Sequence, residues 1–133
     1  MNFDLSIIIA HFKPNDSKQI NPLIKTLRII EKQKSNYNFE IIIADDGSLY
    51  TKEIKENYSA KINLLNDDRS IYFSKKKKLE SLLKNIKIKS DLITNWVYLP
   101  KTKKCMSKAR VINQAVKISK SENLFFIDDD NYF

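Results

Sequence analysis

The stretch Leu124–Asp130, with the sequence LFFIDDD, joins four apolar residues without alternation to three consecutive aspartates. An unbroken apolar run of this length is typical of a strand buried on both faces, as in a parallel sheet covered by helices. Because adjacent carboxylates repel one another and are costly to bury, we expect them at the carboxyl end of the strand, where open α/β sheets bind ligands. Such an end favours a divalent cation with oxygen ligands. A solvated acidic turn is the alternative interpretation.

A second stretch, Phe39–Ser48, repeats this design and decides between the two interpretations. Its sequence, FEIIIADDGS, runs from β-branched residues into Asp45 and Asp46, followed by Gly47, the only glycine in the chain. Glycine suits a tight turn that needs a positive φ angle. Two strands that end in carboxylates at one edge of a sheet predict a binding site.

The remaining segments predict the rest of an α/β domain. Leu5–Ala10 is a third apolar strand pattern, and Asn21 before Pro22 marks a helix whose apolar residues recur at helical spacing up to about Gln33. Two apolar strands joined by a helix predict parallel pairing. Further predicted elements are a helical turn over 51–58, a strand over 61–65, a helix over 75–89, a strand over 95–99 and a helix from about residue 107.

Two conspicuous features are interpreted as structural. Lys75–Lys78 could form a nucleic-acid or membrane patch, but four cations at this place are more often the solvated first turn of a helix, weakened by the macrodipole. Trp96 could stack on a base or a sugar, but a single tryptophan in a strand is more often part of the core.

Composition limits the class of protein. A length of 133 residues with 42% hydrophobic residues predicts one domain with a real core. The net charge of +8 would favour nucleic acid or a membrane as partner, yet the joint abundance of Lys, Asn and Ile can reflect coding composition, and a basic chain also suits a phosphorylated ligand. Cys105 is the only cysteine, which excludes an internal disulfide and favours a reducing cytoplasm. Without a long apolar run, we expect a soluble protein.

The order of the motifs resembles the nucleotide-binding half of family 2 glycosyltransferases, which adopt the GT-A fold. The resemblance rests on the strand and loop of Ser6–Lys13, the Asp-Asp-Gly-Ser of residues 45–48, Ala109-Arg110, and the aspartates 128–130 in place of the family's Asp-x-Asp motif. It covers nearly the whole chain. It implies a single Rossmann-like domain over 1–133, with a mainly parallel sheet flanked by helices and truncated after the acidic strand.

Residue by residue, the resemblance implies a nucleotide-sugar site and a metal site. Asp45 would hydrogen-bond the base, usually uracil, because a carboxylate can accept the imide N–H. Asp128 would approach the ribose or the metal, and Asp130 would ligate Mn²⁺ or Mg²⁺ on the diphosphate, where a cation neutralises the charge of the leaving group. The full set implied to bind the nucleotide sugar is Ala10, His11, Phe12, Asp45, Asp46, Arg110, Asp128 and Asp129.

The chain departs from the family pattern in two places. Residues 10–13 read Ala-His-Phe-Lys where the family usually has Pro-Thr-Tyr-Asn, which predicts a reshaped base pocket. Val111 and Asn113 stand where many members carry Asn and Gly.

The implied function is donor binding for transfer of a hexosyl group from a UDP-sugar to a saccharide or lipid-linked acceptor. In the family the catalytic base comes from a C-terminal half, so we expect these residues alone to bind the donor without efficient transfer. We also expect the edge of the last strand to be covered by a second copy, a missing C-terminal portion or a partner chain.

Two other functions remain as alternatives. A non-catalytic basic module that binds nucleic acid would need a basic face interleaved with aromatic residues, and we expect no nucleic-acid partner. A sugar nucleotidyltransferase-like domain would need a glycine-rich phosphate loop, which a chain with one glycine does not supply. A phosphoacceptor receiver domain is disfavoured because its paired carboxylates would follow the first strand.

Overall fold

A five-stranded sheet organises the part of the chain that the structure describes. The structure, a computed structural model, describes residues 3–13, 21–33, 36–51, 71–100 and 107–129. The elements are, in chain order, β1 (Leu5–His11), α1 (Pro22–Lys32), β2 (Phe39–Asp45), β3 (Ile71–Phe73), α2 (Lys76–Asn85), β4 (Ile93–Tyr98), α3 (Ser107–Ile118) and β5 (Leu124–Asp128). The strand order is β3-β4-β2-β1-β5, in which β3 is antiparallel to β4 and all other neighbours are parallel. The fold is α/β, as predicted.

Helices cover both faces of this sheet. On one face, α1 and α2 pack against a core that includes Ile9, Ile43 and Trp96, so the interpretation of Trp96 as a core residue is confirmed. On the other face, α3 buries Val111 and Ala115 against the opposite side chains of the same strands. This division follows from the strand geometry, because successive residues of a strand point to opposite faces.

The start of α1 agrees with its sequence signature. The Asn21 side chain accepts a hydrogen bond from the backbone N–H of Leu23 at 3.1 Å, and Pro22 occupies the first helical position. Such a cap satisfies one of the backbone donors that a helix leaves unpaired at its beginning. Asn21 is therefore held in one orientation, which matters for the site described below.

The second helix ends earlier than its apolar pattern predicts. α2 stops at Asn85, and Lys87 then adopts a left-handed φ of 59°. The N–H of Ile88 bonds to the carbonyl of Leu83 at 2.9 Å and that of Lys87 to Lys84 at 3.2 Å, which is a Schellman ending. The position is usually occupied by glycine, so a lysine there conceals the helix end in the sequence.

The prediction that the last strand is buried on both faces is wrong. β5 lies at the edge of the sheet and pairs with β1 alone among the described strands. Phe125 and Phe126, which point to opposite faces, are 47% and 51% exposed, whereas Ile127 is buried. An edge strand has a neighbour on one side only, so the covering helices reach over it incompletely.

Several predictions fall partly or wholly outside the described residues. These are the strand over 61–65, most of the helical turn over 51–58, Cys105 and Asp130; residues 49–51 are helical. β3 has no counterpart among the predicted elements, since its segment showed no clear pattern. Within the described ranges, every helix is too short or too polar to cross a membrane.

Candidate functional site

The carboxyl ends of β1, β2 and β5 surround one small cavity. It has a volume of about 270 Å³. Its lining residues are Ala10, His11, Phe12, Asp46, Lys108, Asp128 and Asp129. Six of the eight residues implied to bind a nucleotide sugar therefore meet at this cavity, and Asp45 and Arg110 do not line it.

The position of the cavity follows from the strand order. β1 lies between β2 and β5, and the chain leaves β1 towards β2 while β5 lies on its other side. The direction of strand addition thus reverses beside β1, which is the topological switch point where open α/β sheets bind ligands. Two larger cavities of about 930 and 440 Å³ lie elsewhere, the first against the end of α2 and the second between α1 and β5, and neither is lined by a residue of the acidic strand ends.

Asp45 is fully buried and is occupied by donors of its own chain. Its carboxylate accepts hydrogen bonds from the backbone N–H of Ser48 at 2.9 Å, the hydroxyl of Thr51 at 2.5 Å and the indole N–H of Trp96 at 3.0 Å. Bonds to an ionised acceptor are among the stronger ones in proteins. Asp45 thus ties the turn after β2 to β4, and its oxygens are directed away from the cavity.

Asp46, the next residue, has the opposite orientation and lines the cavity. Its backbone N–H bonds to the carbonyl of His11 at 2.9 Å, which extends the β1–β2 pairing by one step. Gly47 then adopts a φ of 81°, as predicted for the turn. Strand alternation and this turn together direct one carboxylate of the pair inwards and the other towards the cavity.

The two described aspartates at the end of β5 have different partners. Asp128 is 52% exposed and forms an ion pair with Lys108, from the first turn of α3, at 2.9 Å. Asp129 is 17% exposed, and its Oδ2 lies 2.8 Å from Nδ1 of His11. The backbone N–H of Phe12 also donates to this oxygen at 3.3 Å. The carboxylates at the end of β5 thus have an ion pair with Lys108 and hydrogen bonds from His11 and Phe12 within the same chain.

His11 lies inside the protein, with 2% of its surface exposed. Its Nε2 is hydrogen-bonded to the hydroxyl of Tyr50, and its ring packs edge-on against Trp96 with centroids 5.6 Å apart. Burial, followed by the field of Asp45, raises the pKa of Tyr50 far above its usual value, although the amide of Asn21 counteracts this. The Tyr50 hydroxyl therefore stays protonated throughout the neutral range.

Arg110 lies on α3 but does not line the cavity. Residues two positions apart on a helix point in directions about 160° apart, so Lys108 and Arg110 cannot both face the same site. Lys108 reaches the acidic strand end and pairs with Asp128 there. Sequence reasoning missed it because a lysine in a basic segment carries no distinguishing signal.

Tyr50 is the other residue that the sequence did not indicate. It lies two residues after the Asp-Asp-Gly-Ser turn. Its role depends on contacts with His11 and Asn21, which are 39 and 29 residues away in the chain. A contact between such distant residues leaves no local pattern.

The donor atoms around the cavity suit a hard divalent cation. The carboxylates of Asp46, Asp128 and Asp129 are oxygen ligands of the type that Mg²⁺ and Mn²⁺ prefer. No group of three acidic, histidine or cysteine side chains close enough to hold a metal is formed within the described ranges, and Asp130 lies outside them. Because Mg²⁺ commonly uses one or two carboxylates and completes its shell with water and phosphate oxygens, the residues present fit such an ion.

Comparisons with known proteins do not assign the chain to a family. No protein-family model matches it, and a search of curated proteins returns no match.

Proposed function

We propose that this chain binds the nucleotide-sugar donor of a glycosyltransferase of the GT-A type, through the cavity at the switch point and a divalent cation. The observation that carries this proposal is the convergence of Asp46 and Asp128–Asp129, from two separate strands, on one cavity beside β1. A sequence order that resembles family 2 glycosyltransferases supports it. Transfer of a hexosyl group from a UDP-sugar is the reaction that such a donor site serves.

The charged side chains at the cavity have chemical roles in this proposal. Asp46 accepts the imide N–H of a uracil base, since its carboxylate lines the cavity while that of Asp45 is already occupied. Asp129 accepts a hydrogen bond from a hydroxyl of the ribose or the sugar. The ammonium of Lys108 contacts a phosphate oxygen, for which it exchanges its exposed partner Asp128.

The residues that would hold the cation are Asp128 and Asp130. A bound Mg²⁺ or Mn²⁺ would neutralise charge on the diphosphate. Asp128 suits this role because its side chain is half exposed and its partner Lys108 is equally accessible, so the carboxylate can change partners at little cost.

Calorimetric titration with UDP tests the proposal. We expect UDP to bind in the presence of Mg²⁺, to bind at least tenfold more weakly with EDTA, and to bind more tightly than a single-stranded DNA oligonucleotide at the same salt concentration. Asp128→Asn should reproduce the effect of EDTA. Asp91→Asn, which removes the same charge from an exposed position outside the cavity, should leave UDP binding unchanged.

Two outcomes would contradict donor binding. Tighter, strongly salt-dependent binding of the oligonucleotide would favour the basic nucleic-acid-binding module instead. Equal loss of UDP affinity in Asp91→Asn and Asp128→Asn would show that general charge, and not the cavity, determines binding.

A further inference from the structure

A continuous chain of polar contacts runs from the start of α1 to the end of β5. The Nδ2 of Asn21 lies 3.2 Å from the Tyr50 hydroxyl, this hydroxyl contacts Nε2 of His11, and Nδ1 of His11 lies 2.8 Å from Oδ2 of Asp129. The imidazole in the middle is buried. Four residues from four different segments thus meet in one line, and the last of them lines the candidate donor cavity.

The direction of these hydrogen bonds follows from the cap of α1. The Oδ1 of Asn21 accepts the N–H of Leu23, so the amide nitrogen of Asn21 must be the group that faces Tyr50. An amide NH₂ can only donate, and the Tyr50 oxygen therefore accepts there. The proton of the Tyr50 hydroxyl is left for Nε2 of His11, and the raised pKa of Tyr50 keeps that proton in place.

This direction determines which nitrogen of His11 carries hydrogen. If Nε2 accepts from Tyr50, the proton of a neutral imidazole lies on Nδ1, which faces Asp129 and can donate to it. In water a neutral imidazole side chain prefers the other tautomer, with the proton on Nε2. The protein would therefore select the less common form.

The Nδ1–H tautomer of His11 contributes to the hydrogen bonds that hold Asp129. Its Oδ2 receives Nδ1–H of His11 and the backbone N–H of Phe12, while its own N–H and C=O bond to the carbonyl of Ala10 at 3.0 Å and the hydroxyl of Thr26 at 2.6 Å. Backbone and side chain are thus both held. The second carboxylate oxygen, Oδ1, forms no hydrogen bond within the described residues and remains available to a ligand in the cavity.

We propose that Asn21 and Tyr50 are positioning residues, which hold His11 in the Nδ1–H tautomer so that it orients the Asp129 carboxylate for a hydroxyl of the donor. The role of Asp129 in this statement rests on the proposed function, whereas the tautomer of His11 does not. Partners that orient a binding group in this way are often as important as the group itself, because a fixed carboxylate loses no rotational freedom when it binds.

Nitrogen NMR of the imidazole tests the tautomer without any ligand. His11 is the only histidine of the chain, so the ring signals of uniformly ¹⁵N-labelled protein belong to it alone. At neutral pH we expect Nδ1 at the shift of a protonated ring nitrogen and Nε2 at that of an unprotonated acceptor. A spectrum with the proton on Nε2, or on both nitrogens, would overturn the proposal.

Two variants change the hydrogen-bond donors among the contacts of Asn21, Tyr50 and His11 in different ways. Tyr50→Phe removes the hydroxyl, and Asn21→Asp keeps an oxygen to cap α1 but replaces the amide donor by an acceptor that competes for the Tyr50 proton. Both should abolish the exclusive Nδ1–H form. Tyr72→Phe removes a buried hydroxyl bonded to Gln114 on the other face of the sheet and should leave the His11 signals unchanged. Unaltered His11 signals in both site variants would also overturn the proposal.

Ligand binding then tests the effect on Asp129. In variants that retain the wild-type circular dichroism spectrum, we expect Tyr50→Phe to weaken Mg²⁺–UDP binding by about tenfold. In an Asp129→Asn background the same change should have little further effect, because Tyr50 acts through Asp129. Additive losses would show a general structural role and contradict the proposal. If wild-type protein does not bind UDP at all, the proposed function fails while the NMR result still stands.

Discussion

The two acidic strand ends of this protein have the same sequence pattern, but their carboxylates differ in burial and in hydrogen-bond partners. At the end of β2, Asp45 is buried and accepts three hydrogen bonds from its own chain. At the end of β5, Asp128 is half exposed and forms an ion pair with the equally exposed Lys108. An apolar run followed by aspartates is therefore not by itself the signature of a ligand site.

The position of each strand in the sheet explains this difference. β2 lies between β1 and β4, so donors from β4 and from the turn after β2 can surround Asp45. β5 lies at the edge and has β1 as its only described neighbour. Fewer neighbours leave a carboxylate more exposed to water, to cations and to ligands. The comparison predicts that the β2 end serves stability through Asp45, while the β5 end serves binding.

The largest expected effect concerns the buried carboxylate. Asp45→Asn should lower the free energy of unfolding by roughly 2–4 kcal/mol, because the two oxygens of the carboxylate accept hydrogen bonds from three donors and an amide has only one acceptor oxygen. Urea denaturation measures this difference. Asp128→Asn is the matched control and should change stability by less than about 0.5 kcal/mol. Equal unfolding midpoints for the two variants would remove the distinction between the two strand ends.

The next effect separates the two carboxylates of the β2 end. Asp46→Ala should weaken UDP binding by roughly 1–3 kcal/mol through loss of a hydrogen bond to the base, with little change for pyrophosphate. Calorimetry with both ligands, and with Asp91→Ala as control, measures this. A similar loss of affinity for UDP and for pyrophosphate would assign Asp46 to the phosphate or metal side of the cavity.

The environment of Asp45 should also affect the stability of the protein at high pH, through the nearby Tyr98. Burial, followed by the field of Asp45, raises the pKa of Tyr98 from 10.0 to about 12. A tyrosine whose pKa is raised by folding binds its proton more tightly in the folded state, so its contribution to stability is complete below about pH 10 and is lost as the pH rises towards 12. Urea midpoints measured between these values should fall less steeply in Tyr98→Phe than in wild type. Identical slopes would contradict the shift.

The smallest effect concerns the exposed ion pair at the β5 end. Lys108→Met removes a cation that competes with metal for Asp128, so Mg²⁺ alone should bind slightly more tightly, by up to about 1 kcal/mol, while Mg²⁺–UDP binds more weakly. Lys108→Arg should retain most of the nucleotide affinity. If the affinities for Mg²⁺ and for Mg²⁺–UDP fell together, Lys108 would stabilise the fold of the site instead of exchanging partners.

Much of the architecture could be predicted because it depends on local patterns. The apolar runs of β1 and β2, the Asn-Pro start of α1 and the positive φ of Gly47 all follow from residues close together in the chain. Predictions failed where this local information was lacking. Lys87 ends α2 in a conformation usually left to glycine, and β3 is a three-residue strand that owes its place to pairing with β4.

The gathering of carboxylates at one edge of a parallel sheet could be predicted from the sequence alone, since strands that run in the same direction bring their ends together. Which of these carboxylates faces the cavity depends on contacts that form only in the folded protein. Asp45 and Asp46 are adjacent and chemically identical, and their roles depend on the donors Thr51, six residues from Asp45, and Trp96, 51 residues from it. The partners of Asp129 likewise come from His11 and Phe12, more than a hundred residues earlier. Hydrogen bonds act over about 3 Å, so they belong to spatial neighbours, and only the folded chain determines which residues those are.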